Sequence, residues 1–130
     1  MGAQDPPADP RHVVGSAAEA WAARWLTRAG LHIVARNVRL PGGELDLVCR
    51  DGDAWVFVEV KARRHGWDDA PRAAVAWDKQ RRLATLALRY LKGRGLRDVR
   101  CRFDVVEVTI EAGELVAIRH LPSAFDAPPR

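Results

Sequence analysis

The sequence predicts a mixed α/β domain with the element order αβββαββ. Three observations carry this. Two stretches have helical periodicity, one near the start and one in the second half, and glycine closes each. Short apolar runs in strict alternation lie between and after them. Turn residues separate those runs. A chain of 130 residues fits one domain, and 48% hydrophobic residues are enough for a real core.

The first helix is expected from His12 or Val13 to Ala29, with Gly30 as its stop signal. Val14, Ala18, Trp21, Ala22, Trp25 and Ala29 form its apolar face, and Glu19 lies at the border of that face. Residues 31–40 read as the first strand, followed by a Pro41-Gly42-Gly43 turn. Residues 44–50 and 54–62 read as a hairpin around Asp51-Gly52, a favoured two-residue turn. An irregular segment from Arg63 to about Val75 precedes a second helix, expected from its N-cap Asp78 to Lys92, ahead of Gly93 and Gly95. Residues 99–110 and 114–121 complete the set as two strands joined around Ala112-Gly113. Residues 1–11, rich in Pro and Asp, read as a disordered tail, 12–121 as the domain, and 122–130 as a C-terminal tail.

Composition narrows the function classes. The formal net charge of +4 and a pI of about 9.7 lean towards an anionic partner such as nucleic acid. Cys49 and Cys101 sit inside strand-like runs and read as small core residues, not as a disulfide framework or a zinc site. The N-terminus lacks the apolar run of a secretory signal, and no stretch is long and apolar enough for a membrane span. A cytoplasmic protein is therefore expected. No P-loop, no Gly-x-Gly-x-x-Gly and no Cys-x-x-Cys is present.

The hairpin carries the most informative residues. Side chains alternate between the faces of a sheet. One face takes Leu45, Leu47 and Cys49 with Val56, Val58 and Val60; the other takes Glu44, Asp46 and Val48 with Trp55, Phe57, Glu59 and Lys61. If Asp51-Gly52 closes the loop, Arg50 pairs with Asp53, Glu44 faces Glu59, and Asp46 is the diagonal neighbour of Glu59. Carboxylates that close need a proton, a basic partner or a metal. Residue types alone fit two readings of this face equally: a solvated polar strand face with a Glu-Lys pair, or a centre where Lys61 and a Mg²⁺ or Mn²⁺ ion neutralise the acids.

Asp46 followed, after a spacer, by Glu59-Val60-Lys61 resembles the PD-(D/E)XK nuclease signature. The surrounding segments are similar to one family within that superfamily, the YraN-like proteins. They are Gly15-x-x-x-Glu19, Ala35-Arg36-Asn37-x-Arg39, Gly43-Glu44-Leu45-Asp46-Leu47-Val48, Phe57-Val58-Glu59-Val60-Lys61-x-Arg63, Ala74-Val75 with Lys79 and Arg82-Leu83, and Arg102-Phe103-Asp104-Val105-Val106. The match runs from about Val14 to Val108. It implies a restriction-endonuclease-like fold, a mixed sheet flanked by helices. It further implies that Asp46 and Glu59 hold the metal, with the Val60 carbonyl as a further ligand, and that Lys61 positions the attacking water. Leu45 stands where the superfamily name has Pro, which leaves the acid in place.

Similar Holliday-junction resolvases place a glutamate of the first helix near the metal. That position is Glu19 here, and a border glutamate of an amphipathic helix is an equal reading. Glu44 has no set role in the signature and is assigned to the support of Asp46 or to a second metal. Some nucleases of the superfamily use a Gln or Lys of the second helix near the site, which makes Gln80 and Lys79 candidates; a Gln bonded to backbone at the core edge is the commoner case. On that helix Gln80, Ala84, Ala87 and Leu91 share a line, flanked by Leu83 and Tyr90, and Arg81, Arg82, Arg89 and Lys92 lie opposite. Such a basic stripe is usually solvated surface and otherwise tracks a phosphate backbone.

Arg63, Arg64 and His65 directly follow Lys61 on the expected loop and are the better candidates for substrate contact, with Trp67 as a loop anchor. Carboxylates beside Lys61 raise a lysine pKa, so Lys61 is read as a charged group and not as a neutral base. The expectation is a Mg²⁺- or Mn²⁺-dependent endonuclease acting on nucleic acid, DNA before RNA, branched or structured DNA included. The alternatives are a binding module of the same fold that does not cleave, and an interaction protein with neither activity. Relatives that cut junctions act as homodimers, but no segment of this sequence marks a dimer face.

Overall fold

The computed structural model describes residues 10–64 and 77–125; of residues 10–14 and 64 it describes the backbone alone. The elements follow the expected order: α1 Pro10–Arg28, β1 His32–Leu40, β2 Gly43–Asp51, β3 Ala54–Arg64, α2 Trp77–Gly93, β4 Cys101–Glu111 and β5 Glu114–Phe125. The strands form one sheet in the order β1-β2-β3-β4-β5. Neighbours pair antiparallel except β3 and β4, which run parallel with α2 as their crossover. This is a mixed sheet flanked by helices, consistent with a restriction-endonuclease-like domain.

Both helices end by the same device. Leu31 N–H donates to the Leu26 carbonyl at 3.0 Å and Gly30 N–H to the Thr27 carbonyl at 3.1 Å, with Gly30 at φ 97°. Leu96 and Gly95 repeat the pattern on Leu91 and Lys92, with Gly95 at φ 72°. These are Schellman closures, which satisfy the last carbonyls and suit glycine. At the other end, α1 begins at Pro10, where a missing N–H is harmless, two residues before the expected start. Asp78 falls in the first turn of α2, not at its cap, where its charge still opposes the helix dipole.

Each helix covers one face of the sheet. Ala18, Ala22, Ala23 and Leu26 of α1 pack on Leu47, Cys49, Val56, Val58, Val106, Val108 and Ile110. Leu83, Leu86, Ala87, Tyr90 and Leu91 of α2 pack on Leu45, Val48, Trp55, Phe57 and Phe103. The expected face of α1 is therefore rotated: Leu26 is fully buried, while Trp25 is 44% exposed and Ala29 is exposed. Small alanines let the helix axis approach the sheet, and the bulky indoles go to the flanks. On α2 the buried line likewise centres on Leu83, Leu86 and Ala87, with Gln80 half-buried at its start.

The hairpin register differs from the expected one. Asp51 pairs with Ala54 and Arg50 with Trp55, so the two-residue loop is Gly52-Asp53. Gly52 alone of the pair has a positive φ, which is the type II′ pattern. Asp51 is instead held in the strand, where its Oδ2 accepts from Arg102 Nη1 at 2.7 Å. The shift is by two residues, so side-chain parity survives. What changes is level: Asp46, not Glu44, comes to the height of Glu59.

Two further boundaries moved. Cys101 is exposed at the first position of β4, in contrast to buried Cys49, because the strand end lies beyond the packed core. β5 continues past Leu121 to Phe125, which stacks on Phe103 with ring centroids 4.9 Å apart. Pro122 is tolerated because β5 is an edge strand. Among the described residues no helix is long and apolar enough to cross a membrane.

Candidate active site at the split between β2 and β3

The site begins with a break in strand alternation. Leu45 and Leu47 are two residues apart, yet they pack into opposite cores. The expected apolar face of Leu45, Leu47 and Cys49 is thus broken between its first two members. On β1, Arg36 pairs with Leu47 and Val38 with Leu45, and between these pairs lie Asn37 and Asp46. Asn37 has φ 51°, the left-handed region, which asparagine tolerates better than most residues. That single residue turns β1 over, and β2 turns with it at Asp46.

The consequence is a split seam. The β2–β3 ladder ends at Leu47↔Val58. Just beyond it, Asp46 Oδ2 accepts the Val60 N–H at 2.9 Å. A carboxylate thus takes a donor that a continued ladder would have given to a backbone carbonyl. Val60 itself turns its side chain to the α1 core.

Acids gather at this point. Glu59 is buried, 7% exposed. Burial pushes the Asp46 carboxyl up to about 7; the charges of Glu59 and Glu19 push the same way, against the Val60 hydrogen bond and the charge of Lys79. The electrostatic reach of Glu19 from α1 brings the expected helix glutamate to the group, and it is half-buried there. From the other side Lys79, in the first turns of α2, makes an ion pair with Glu59 Oε1. Gln80 lies beside it on the same helix. Lys61 follows Glu59 by two positions and so shares its sheet face.

Not every expected residue joins the cluster. Glu44 is exposed and stands opposite Arg39 of β1, because the two-residue shift in register carries it past Glu59. Arg63 and Arg64 belong to β3, which is longer than expected, and not to a loop. His65, Trp67 and the Ala74-Val75 pair lie outside the described residues. Arg82 is exposed and its Cδ passes 3.7 Å from where a Gly43 side chain would begin. Arg89 donates to the Pro41 carbonyl. Part of the basic stripe of α2 therefore packs on the β1–β2 turn. Gly43 is required there: a Cβ would meet Leu86 Cδ1 at 3.1 Å, and its φ is 154°.

One carboxylate of this face was not anticipated. Glu107 of β4 pairs in register with Lys61, is 5% exposed, and its Oε1 lies 3.8 Å from Arg63 Nη2. A charged residue inside the apolar run Val105-Val106-Glu107-Val108 was the available signal. Its meaning depended on the parallel pairing of β3 and β4, which no local pattern reveals. Arg63 is half-buried and faces Glu107 at ion-pair range, without a hydrogen bond to its Oε1.

Among the described residues no three His, Cys, Asp or Glu side chains approach closely enough to form a metal cage. The residues that could hold a cation are Asp46 and Glu59, with Glu19 reaching Asp46 electrostatically from α1. One or two carboxylates, completed by waters and substrate phosphates, are what Mg²⁺ commonly takes from a protein.

The sequence pattern described as "Uncharacterised protein family UPF0102" matches residues 18–108. A UPF0102 protein of Symbiobacterium thermophilum is 48% identical over 114 residues, 88% of this chain and 97% of that relative. Relatives from Geobacter sulfurreducens and Rhodococcus jostii are 42% and 46% identical, and the alignments cover 89% and 95% of them and 88% and 86% of this chain.

Proposed function

The chain belongs to the Uncharacterised protein family UPF0102, the YraN-like family its motifs resemble, and from the site it carries we propose that it binds nucleic acid and hydrolyses phosphodiester bonds with Mg²⁺ or Mn²⁺. The observation that carries this reading is the split of the β2–β3 ladder, where Asp46 accepts the Val60 N–H beside buried Glu59; burial and the charge of Glu59 push the Asp46 carboxyl up to about 7. A half-buried carboxylate beside a buried one favours a proton or a cation for company. Asp46 and Glu59 would hold the cation. A cation held there would supply Lewis-acid activation of water and offset charge on the phosphate. Lys61, on the same face as Glu59, would orient the attacking water or stabilise the charge that develops on the phosphoryl oxygens. Asp46 is held in place for this by the Val60 N–H. Arg63, which faces Glu107 at ion-pair range, and the exposed basic residues of α2 supply contacts to the backbone of the nucleic acid.

The experiment is a panel of linear, flapped and four-way DNA and single-stranded RNA, incubated with Mn²⁺ and the wild type, Asp46→Ala or Glu59→Ala. Cleavage by the wild type alone is expected, with a loss of at least about 100-fold in either variant. If the wild type and Glu59→Ala act alike on every substrate, the nuclease reading fails.

A second reading is a nucleic-acid-binding module that does not cleave. The ion pair of Lys79 with Glu59 favours it, because that pair already neutralises one acid. The same panel separates the two, since the module would retain DNA binding in all three proteins and cut nothing.

A further inference from the structure

An ion pair joins α2 to β3, Lys79 to Glu59. The Lys79 side chain is 45% exposed and the Glu59 side chain 8% exposed. The ammonium therefore reaches in from the solvent side and rests on an oxygen of a buried carboxylate. Lys79 also acts on Asp46 across the seam. It is thus a cation that pairs with one of the acids to which the metal is assigned and acts electrostatically on the other. An oxygen of Glu59 that faces an ammonium cannot at the same time be bound directly by an ion in the same place. The lysine stem is long and flexible, so the ammonium can leave for solvent without disturbing the core. A monovalent ion brings no more charge than the ammonium it would replace, whereas a divalent ion doubles it.

We propose that Lys79 sets the affinity and the charge preference of this metal site: it holds Glu59 as an internal monovalent cation, and a divalent ion binds by displacing it. The proposal rests on the metal reading of Asp46 and Glu59.

The test is Mn²⁺ titration by calorimetry of the full chain at fixed ionic strength, with the wild type, Lys79→Met, Asp46→Ala and Arg28→Gln. Arg28, in the last turn of α1, is an exposed cation outside the site, and its removal changes net charge equally. Lys79→Met should bind Mn²⁺ about fivefold more tightly than the wild type, the size of a partly exposed ion pair. Arg28→Gln should match the wild type, and Asp46→Ala should not bind. If the wild type binds but Lys79→Met binds equally or more weakly, Lys79 is no competitor and the metal reading survives alone. An equal gain in Arg28→Gln would show a general effect of charge and overturn the role of Lys79. Absence of binding in the wild type and Lys79→Met alike would overturn both proposals.

Discussion

At the scale of single residues, Asp46 carries the most information. Its carboxyl titrates near 3.8 when exposed and near 7 in the fold, chiefly through burial. Between those values the folded chain holds a proton that the unfolded chain has lost. Stability contributed by this group therefore falls as pH rises from about 4 to 7 and stays low above that. Asp46→Asn keeps an oxygen for the Val60 N–H and removes the charge. In metal-free buffer it should raise stability by about 1–2 kcal/mol near pH 8, and the gain should vanish near pH 4. Urea unfolding across that range measures this; a gain that does not depend on pH would show that the carboxyl is not strained by its charge. Cys49 is the contrasting case. Burial pushes its thiol up to about 12, so it is core filling and no nucleophile.

At the scale of elements, the decisive feature is the turnover of β1 and β2 at Asn37 and Asp46. Asn37 was legible in the sequence only as part of a segment that resembles the family, and its φ of 51° gives it a physical task. Asn37→Val would force a β-branched side chain into the left-handed region and should cost about 1–3 kcal/mol. Asn37→Gly should stay close to the wild type, because glycine adopts that φ freely. Chemical denaturation compares the two; equal stability of Asn37→Val and the wild type would mean that the strand does not need this conformation. Most element boundaries were legible, because helical and strand periods and the Schellman glycines are local signals. The hairpin loop was not, since Asp51-Gly52 and Gly52-Asp53 are both acceptable turns. The choice falls to Arg102, a residue of β4 that binds Asp51 from a distance in sequence.

At the scale of the whole molecule, one buried network ties the sheet together. Asp104 is fully buried and accepts from Arg102 Nε at 3.0 Å, His120 Nε2 at 2.8 Å and the Ser123 N–H at 2.9 Å. Through Arg102 and Asp51 it joins β4 and β5 to the hairpin that carries the site. Ser123, at φ 50°, bends the end of β5 around the carboxylate. Asp104→Ala would leave Arg102, His120 and a backbone N–H without their acceptor and should cost about 3–5 kcal/mol. An unfolding free energy within about 1 kcal/mol of the wild type would show that the network does not hold the sheet.

The sequence by itself determined the element order and the family, and it singled out Asp46, Glu59 and Lys61 as the candidate site residues. These rest on local periodicity and on a short ordered motif, both written in consecutive residues. The tertiary structure decided what surrounds them. It set Asp46 level with Glu59, sent Glu44 away, placed Lys79 on Glu59, and brought Glu107 into register with Lys61. Each of these depends on the parallel pairing of β3 with β4, on a turned-over strand pair, or on where a helix docks. Such contacts join residues far apart in the chain, and their energies come from burial and charge at sites that no local pattern encodes.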